Sequence, residues 1–86
     1  MSNVEFTLED LRRFLIEAAG ADDGLTVADE AMDTEFEELG YDSLALMETA
    51  SRVERTYGVS LAEEELVDAR TPRELIELIN KLTTAA

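Results

Sequence analysis

Gly40-Tyr41-Asp42-Ser43-Leu44-Ala45-Leu46-Met47-Glu48 is the stretch on which the reading of this 86-residue chain turns. Gly40 breaks what precedes it. Asp42 has a short side chain able to accept an otherwise unpaired amide hydrogen bond, as a helix N-cap does. From Ser43 onward apolar residues return with helical spacing. At about 100° per residue, Leu46, Ala50, Val53 and Tyr57 share one stripe, and Gly58 is a stop signal. The spacing predicts a helix over 43–57 with that stripe inward. Leu44, Glu48, Ser51 and Arg55 then face outward, with Met47 and Glu54 on the margin. Leu44 and Met47 have two readings at this point. Either they are an apolar docking anchor ringed by acidic side chains, or Leu44 folds under the preceding loop and Met47 joins the edge of the core.

Working outward, Thr7-Leu8-Glu9-Asp10 opens a first helix over about 7–19, with Thr7 as N-cap and acidic residues at the positive end of the dipole. Leu8, Leu11, Phe14, Leu15 and Ala18 gather on its inner face, and Gly20 is its stop. Residues 20–42 lack sustained periodicity and read as a long connection punctuated by Gly20, Gly24 and Gly40. Val27, Met32, Phe36 and Leu39 are its candidate pins to the core, with a helical turn near 35–39. Ser60-Leu61-Ala62-Glu63 reads as a capping box opening a short third helix through about Val67. Thr71-Pro72-Arg73-Glu74 places Thr at the N-cap, Pro at the first helical position and Glu where it closes the box. Leu75, Leu78, Ile79 and Leu82 give that last helix its buried face. Strand-like alternation and internal repeats are lacking. The expected fold is all-α: a four-helix bundle of three longer helices and one short one, with a long loop between the first two, forming a single domain over 1–86.

Composition narrows the function. With 21 Asp and Glu against 7 Lys and Arg, the formal net charge is −14. Such a surface repels nucleic acid phosphates and anionic lipid, which excludes both as expected partners. It attracts proteins with basic patches, or it serves solubility alone; composition leaves both open. The chain has neither cysteine nor histidine, so thiolate nucleophiles, disulfides and the commonest general acid–base and metal-ligating group are missing. No catalytic residue and no metal site are expected. A calcium-binding loop fails in either register: aligning Gly24 puts Ala19 and Ala21 at ligand positions, and aligning Gly40 puts Leu46 where the terminal Glu belongs. No apolar run is long enough to span a membrane, and the N-terminus lacks a basic, apolar leader, so a cytoplasmic monomer is expected.

Ser43 carries the chemistry. At a helix head, unpaired amides and the dipole favour a negative group, so a phosphate ester on its oxygen would sit at an anion site. On Asp-Ser-Leu alone the favoured reading is an ordinary, unmodified first-turn serine. The longer run from Leu39 to Glu48, however, resembles the prosthetic-group segment of acyl carrier proteins, and more narrowly those of type II synthases that make aromatic polyketides. The likeness continues through Arg52-Val53-Glu54-Arg55-Thr56-Tyr57-Gly58-Val59, Thr71-Pro72-Arg73-Glu74-Leu75 and Asp10-Leu11-Arg12-Arg13. Fatty-acid carriers commonly have an acidic residue after Ser-Leu, where this chain has Ala45.

The resemblance implies a non-catalytic carrier. Ser43 would bear covalent 4′-phosphopantetheine, installed by a phosphopantetheinyl transferase from coenzyme A with Mg²⁺, and Asp42 would fix the helix start and orient the serine. Malonyl and growing poly-β-ketone units would travel among a malonyl transferase, a ketosynthase/chain-length factor pair, a ketoreductase, and a cyclase or aromatase. Leu44, Met47, Glu48 and Glu54, with Glu37 and Glu38, are the candidate partner contacts. The interior between the second and third helices is a candidate receptacle for part of the bound chain. Arg12 and Arg13 read either as contacts to a polar chain or, the favoured reading, as salt-bridging residues of the first helix. The alternatives are a fatty-acid carrier and, from a different class, an unmodified acidic interaction module.

Overall fold

Among the described residues of the computed structural model, four α-helices follow one another: α1 (Leu8–Ala19), α2 (Ser43–Tyr57), α3 (Glu63–Asp68) and α4 (Pro72–Ala85), with one 3₁₀ turn at Asp29–Ala31. Residues 5–19 and 28–85 are described, and no strand occurs among them. Gly20 as a helix stop, the Gly24 break and the Val27 pin lie outside the described residues.

Local chemistry sets the helix ends. Thr7 Oγ1 accepts the Asp10 amide at 3.3 Å while the Thr7 amide donates to Asp10 Oδ2 at 3.1 Å, a reciprocal box that opens α1. Asp42 Oδ1 accepts the Ala45 amide at 2.9 Å and opens α2. Gly58 closes α2 at φ +69°, a left-handed conformation that costs glycine little, and its N–H donates to the Glu54 carbonyl. At α4, Thr71 Oγ1 accepts the Glu74 amide at 3.2 Å and Glu74 Oε1 accepts the amides of Thr71 and Arg70.

The start of α3 differs from expectation. The helix begins at Glu63 with Ala62 as its N-cap, so the Ser60–Glu63 box does not form. Alanine has no side-chain acceptor, and only the reciprocal half of a box exists: the Ala62 amide donates to Glu65 Oε1 at 3.3 Å.

The core gathers Leu11, Phe14 and Leu15 from α1, Val53 from α2, and Leu75, Ile76 and Ile79 from α4, joined by Phe6 from ahead of α1 and by Phe36, Tyr41 and Ala69 from the segments between helices. α1 lies against both α2 and α4. The buried arc of α2 is Thr49, Ala50 and Val53, with Leu46 and Tyr57 half-buried at its margins. Thr49 is unexpected there. Its hydroxyl donates to the Ala45 carbonyl at 2.8 Å, which satisfies the group inside an apolar interior. Phe6, ahead of α1, is held by a two-way clamp: its amide donates to Asn80 Oδ1 at 2.7 Å and its carbonyl accepts from Asn80 Nδ2 at 2.9 Å.

The connection before α2 is anchored by polar bonds as much as by its apolar pins. Arg73 meets Asp33 through Nε (2.8 Å) and a terminal nitrogen (3.3 Å), and its amide donates to the Met32 carbonyl. Arg12 reaches Asp29 at 2.7 Å, and Arg13 pairs with Asp10 within α1 at 3.0 Å. Both arginines therefore form salt bridges, with Arg12 spending its pair on the connection. Phe36 is buried, its N–H donating to the Arg70 carbonyl at 2.8 Å, and the expected turn near 35–39 closes through Leu39 N–H to the Glu35 carbonyl. Phe36 and Tyr41 meet edge-on at 6.1 Å, which delivers the chain to Asp42 in a set direction.

Candidate functional site

Ser43 is the first residue of α2 and is exposed. Two features make its position. The buried, edge-packed Tyr41 fixes the approach, and the Asp42 carboxylate turns back to cap Ala45. Burial pushes the Tyr41 phenol above its usual value, so it stays neutral. The Leu46 amide is the first to bond within the helix, to the Asp42 carbonyl at 3.1 Å. Among the described residues the Ser43 and Leu44 amides have no hydrogen-bond partner, as expected for the first turn of a helix.

Ser43 lines an open cleft of about 680 Å³ between α2, α3 and the end of the connection. Leu46, Met47, Leu66 and Val67 supply apolar wall, Glu35, Glu37 and Glu63 an acidic margin, and Arg70 a cation. A second groove, which shares Tyr41, Asp42 and Met47 with the first, runs past Gly40, Leu44, Ala45, Glu48 and Ser51 to Ala18 of α1.

Leu44 does not fold under the loop and Met47 does not close into the core. Leu44 is 74% exposed and Met47 48%. Glu48, Glu37 and Glu38 are exposed, Glu48 lying 3.4 Å from Arg52 Nε. Glu54 stands apart: it is half-buried, and its Oε2 accepts the Leu61 amide at 2.7 Å. Sequence reasoning missed Val67, which is 64% exposed. It lies more than twenty residues from Ser43 in the chain, and the available signal was an apolar residue next to the core-directed Leu66 of a very short helix. Among the described residues no group of three or more His, Cys, Asp or Glu is placed to hold a metal ion, and no helix is long and apolar enough to cross a membrane.

Ser43 thus stands exposed at a helix head, beside a cleft with apolar walls and an acidic margin. That is the equipment of a carrier protein. The sequence matches the phosphopantetheine attachment site family over residues 9–79, and the chain belongs to that family as an acyl carrier protein of the type II polyketide synthase kind. It is 52% identical to the monensin polyketide synthase acyl carrier protein of Streptomyces virginiae, covering 100% of this chain and 97% of that one. It is 53% identical to the actinorhodin polyketide synthase acyl carrier protein of Streptomyces coelicolor over 86% of each chain. The fold superposes on the actinorhodin carrier in its 3,5-dioxohexyl form with a TM-score of 0.87, at 48% identity over 100% of this chain and 99% of that one. On the apo form the TM-score is 0.84, at 48% identity over 94% of each.

The chain is thus a non-catalytic carrier whose prosthetic group is covalent 4′-phosphopantetheine. The head of α2 fits an ester-linked phosphate. Two first-turn amides are unspent, and one Asp42 carboxylate oxygen is committed to the Ala45 amide, which turns the nearest negative charge toward the helix backbone.

Proposed function

We propose that Ser43 is the attachment residue, and that the chain shuttles malonyl and growing poly-β-ketone units among the enzymes of a polyketide synthase. The single observation that carries this reading is the exposed Ser43 hydroxyl on the first residue of α2, at the mouth of the apolar cleft. In loading, Ser43 Oγ bonds to the pantetheine-bearing phosphorus of coenzyme A, the bond to the adenosine bisphosphate leaving group breaks, and the hydroxyl proton passes to a base of the transferase. The pantetheine arm supplies the thiol that this cysteine-free chain lacks, so that acyl units are held as thioesters.

The chain's own residues do the rest. Asp42 fixes the start of α2 and with it the direction of the hydroxyl. Leu44 and Met47 serve as an apolar anchor, and Glu48, Glu37 and Glu38 as an acidic rim for basic surfaces on a phosphopantetheinyl transferase, malonyl transferase, ketosynthase/chain-length factor, ketoreductase, and cyclase or aromatase. Such interfaces are small and charged, which suits contacts that must break after each delivery. The cleft gives part of a bound chain an apolar wall. Residues 1–86 act as one carrier domain, as a cytoplasmic monomer. Similarity to polyketide carriers favours this reading over a fatty-acid carrier or an unmodified interaction module.

Incubation with coenzyme A, Mg²⁺ and a phosphopantetheinyl transferase, followed by intact mass, tests the reading. Wild type is expected to gain one phosphopantetheine, and Ser43→Ala to gain nothing while keeping its helical circular dichroism. Loading of Ser43→Ala would move the attachment elsewhere. An unmodified wild type, beside a known carrier that is modified, would leave an interaction module.

A further inference from the structure

Glu54 sits in the last turn of α2, where the sequence places it among partner contacts. Its carboxylate is also engaged within the molecule: Oε2 accepts the Leu61 amide at 2.7 Å in a half-buried setting. Leu61 packs against the core and immediately precedes Ala62, the N-cap of α3. This helix has six residues, none of them buried, and its N-cap side chain makes no capping bond. Only Leu66 of α3 packs against the core, half-buried, and Ala62 offers no side-chain acceptor, so the placement of the helix depends strongly on what ties its ends. At the C-terminal end, Ala69 is buried and the Arg70 carbonyl accepts the Phe36 amide at 2.8 Å. At the N-terminal end the ties are the packing of Leu61 on the core and its hydrogen bond to Glu54. The wall that α3 contributes to the Ser43 cleft comprises Glu63, Leu66 and Val67.

We propose that Glu54 is a positioning residue: its carboxylate pins the entry of α3 and so sets the cleft wall across from Ser43. The functional meaning rests on Ser43 being the attachment residue, since α3 then borders whatever the serine carries. A hydrogen bond from an amide to an ionised acceptor is among the stronger single bonds available to a protein, and a short six-residue helix has few others to share the load.

Three variants of the full chain separate this role from electrostatic docking. Glu54→Gln keeps an acceptor and drops the charge, Glu54→Asp keeps the charge and draws the acceptor back, and Glu54→Ala removes both. Amide hydrogen exchange at Leu61, with amide shifts of Leu66 and Val67, is measured on each before loading. Association with the phosphopantetheinyl transferase is measured at low and high salt. Exchange at Leu61 is expected to accelerate about tenfold or more in Glu54→Ala and Glu54→Asp, and less than about threefold in Glu54→Gln. Leu66 and Val67 should shift in Glu54→Ala and Glu54→Asp alone. Exchange within about twofold of wild type in both Glu54→Ala and Glu54→Asp would overturn the proposal, as would equal slowing of association in Glu54→Gln and Glu54→Ala with Leu61 unmoved. If Glu54→Ala does not fold, the Gln and Asp pair decides. Intact mass after loading reports separately on Ser43: a wild type that takes up nothing would sink the attachment reading and leave the Leu61 result standing.

Discussion

Replacing Asn80 by alanine removes both arms of the clamp on Phe6, at 2.7 and 2.9 Å, in a half-buried setting. Two net hydrogen bonds at about 1 kcal/mol each give about 2 kcal/mol, and leaving the Phe6 amide and carbonyl without partners raises the cost further. The chain has one escape, which is to release the segment before α1. That exposes the Phe6 ring, now almost wholly buried against Phe14 at 5.9 Å and Tyr57 at 5.7 Å, and forfeits about 1.5–3 kcal/mol of burial plus the ring contacts. Both routes converge on about 2–4 kcal/mol. A chain of this length has a total stability of about 4–13 kcal/mol, so the loss is a large share of it. Urea unfolding followed by circular dichroism should show it directly, with Tm lower by about 10–25 °C. Phe6 and Asn80 act through one docking event, so Phe6→Ala and Asn80→Ala should be sub-additive by at least about 0.5 kcal/mol in a double-mutant cycle. Loading at Ser43 should survive at temperatures where the variant is folded, because Tyr57 lies about 20 Å along α2 from Ser43. A cost below about 0.5 kcal/mol, or full additivity, would refute the clamp.

Two further outcomes are expected. Hydrogen bonding from Arg73, opposed by desolvation and aided by the Arg73 charge, holds the Asp33 carboxyl below its usual 3.8. A depressed folded value means that the pair stabilises above the unfolded value and loses this contribution as pH falls through the folded one. The Tm difference between wild type and Asp33→Asn should therefore be present but small near neutrality, the pair being at the surface, and should vanish in strong acid; a difference that persists there would contradict it. Glu48→Lys reverses a charge beside Leu44 and Met47 and removes the partner of Arg52. Association with the transferase should slow at low salt and recover toward wild type at high salt, and an unchanged low-salt rate would remove electrostatic steering from the account.

Much of this molecule is local chemistry, and local chemistry is legible in a sequence. The caps at Thr7, Asp42 and Thr71, the stop at Gly58 and the apolar periods of α1, α2 and α4 use groups three or four residues apart, so three helices and the exposure of Ser43 could be read directly. α3 was read less well, because its box residues are not the ones that bond and Leu61, just ahead of it, is hydrogen-bonded by Glu54 seven positions upstream. Thr49 entered the core against its polarity because its hydroxyl is satisfied by its own helix.

The amino-acid order by itself determined that helices form, where most of them begin, that an acidic chain without cysteine or histidine is poorly equipped for catalysis, and that one serine heads a helix; that Leu44 and Met47 beside it point outward was settled by the packed structure. Only tertiary structure decided what faces that serine. The cleft wall of Leu66 and Val67, the clamp of Asn80 on Phe6 and the ion pair of Arg73 with Asp33 join groups that are 23, 24, 74 and 40 positions from their counterparts. Contacts at such separations follow from how helices pack, and no local pattern encodes them.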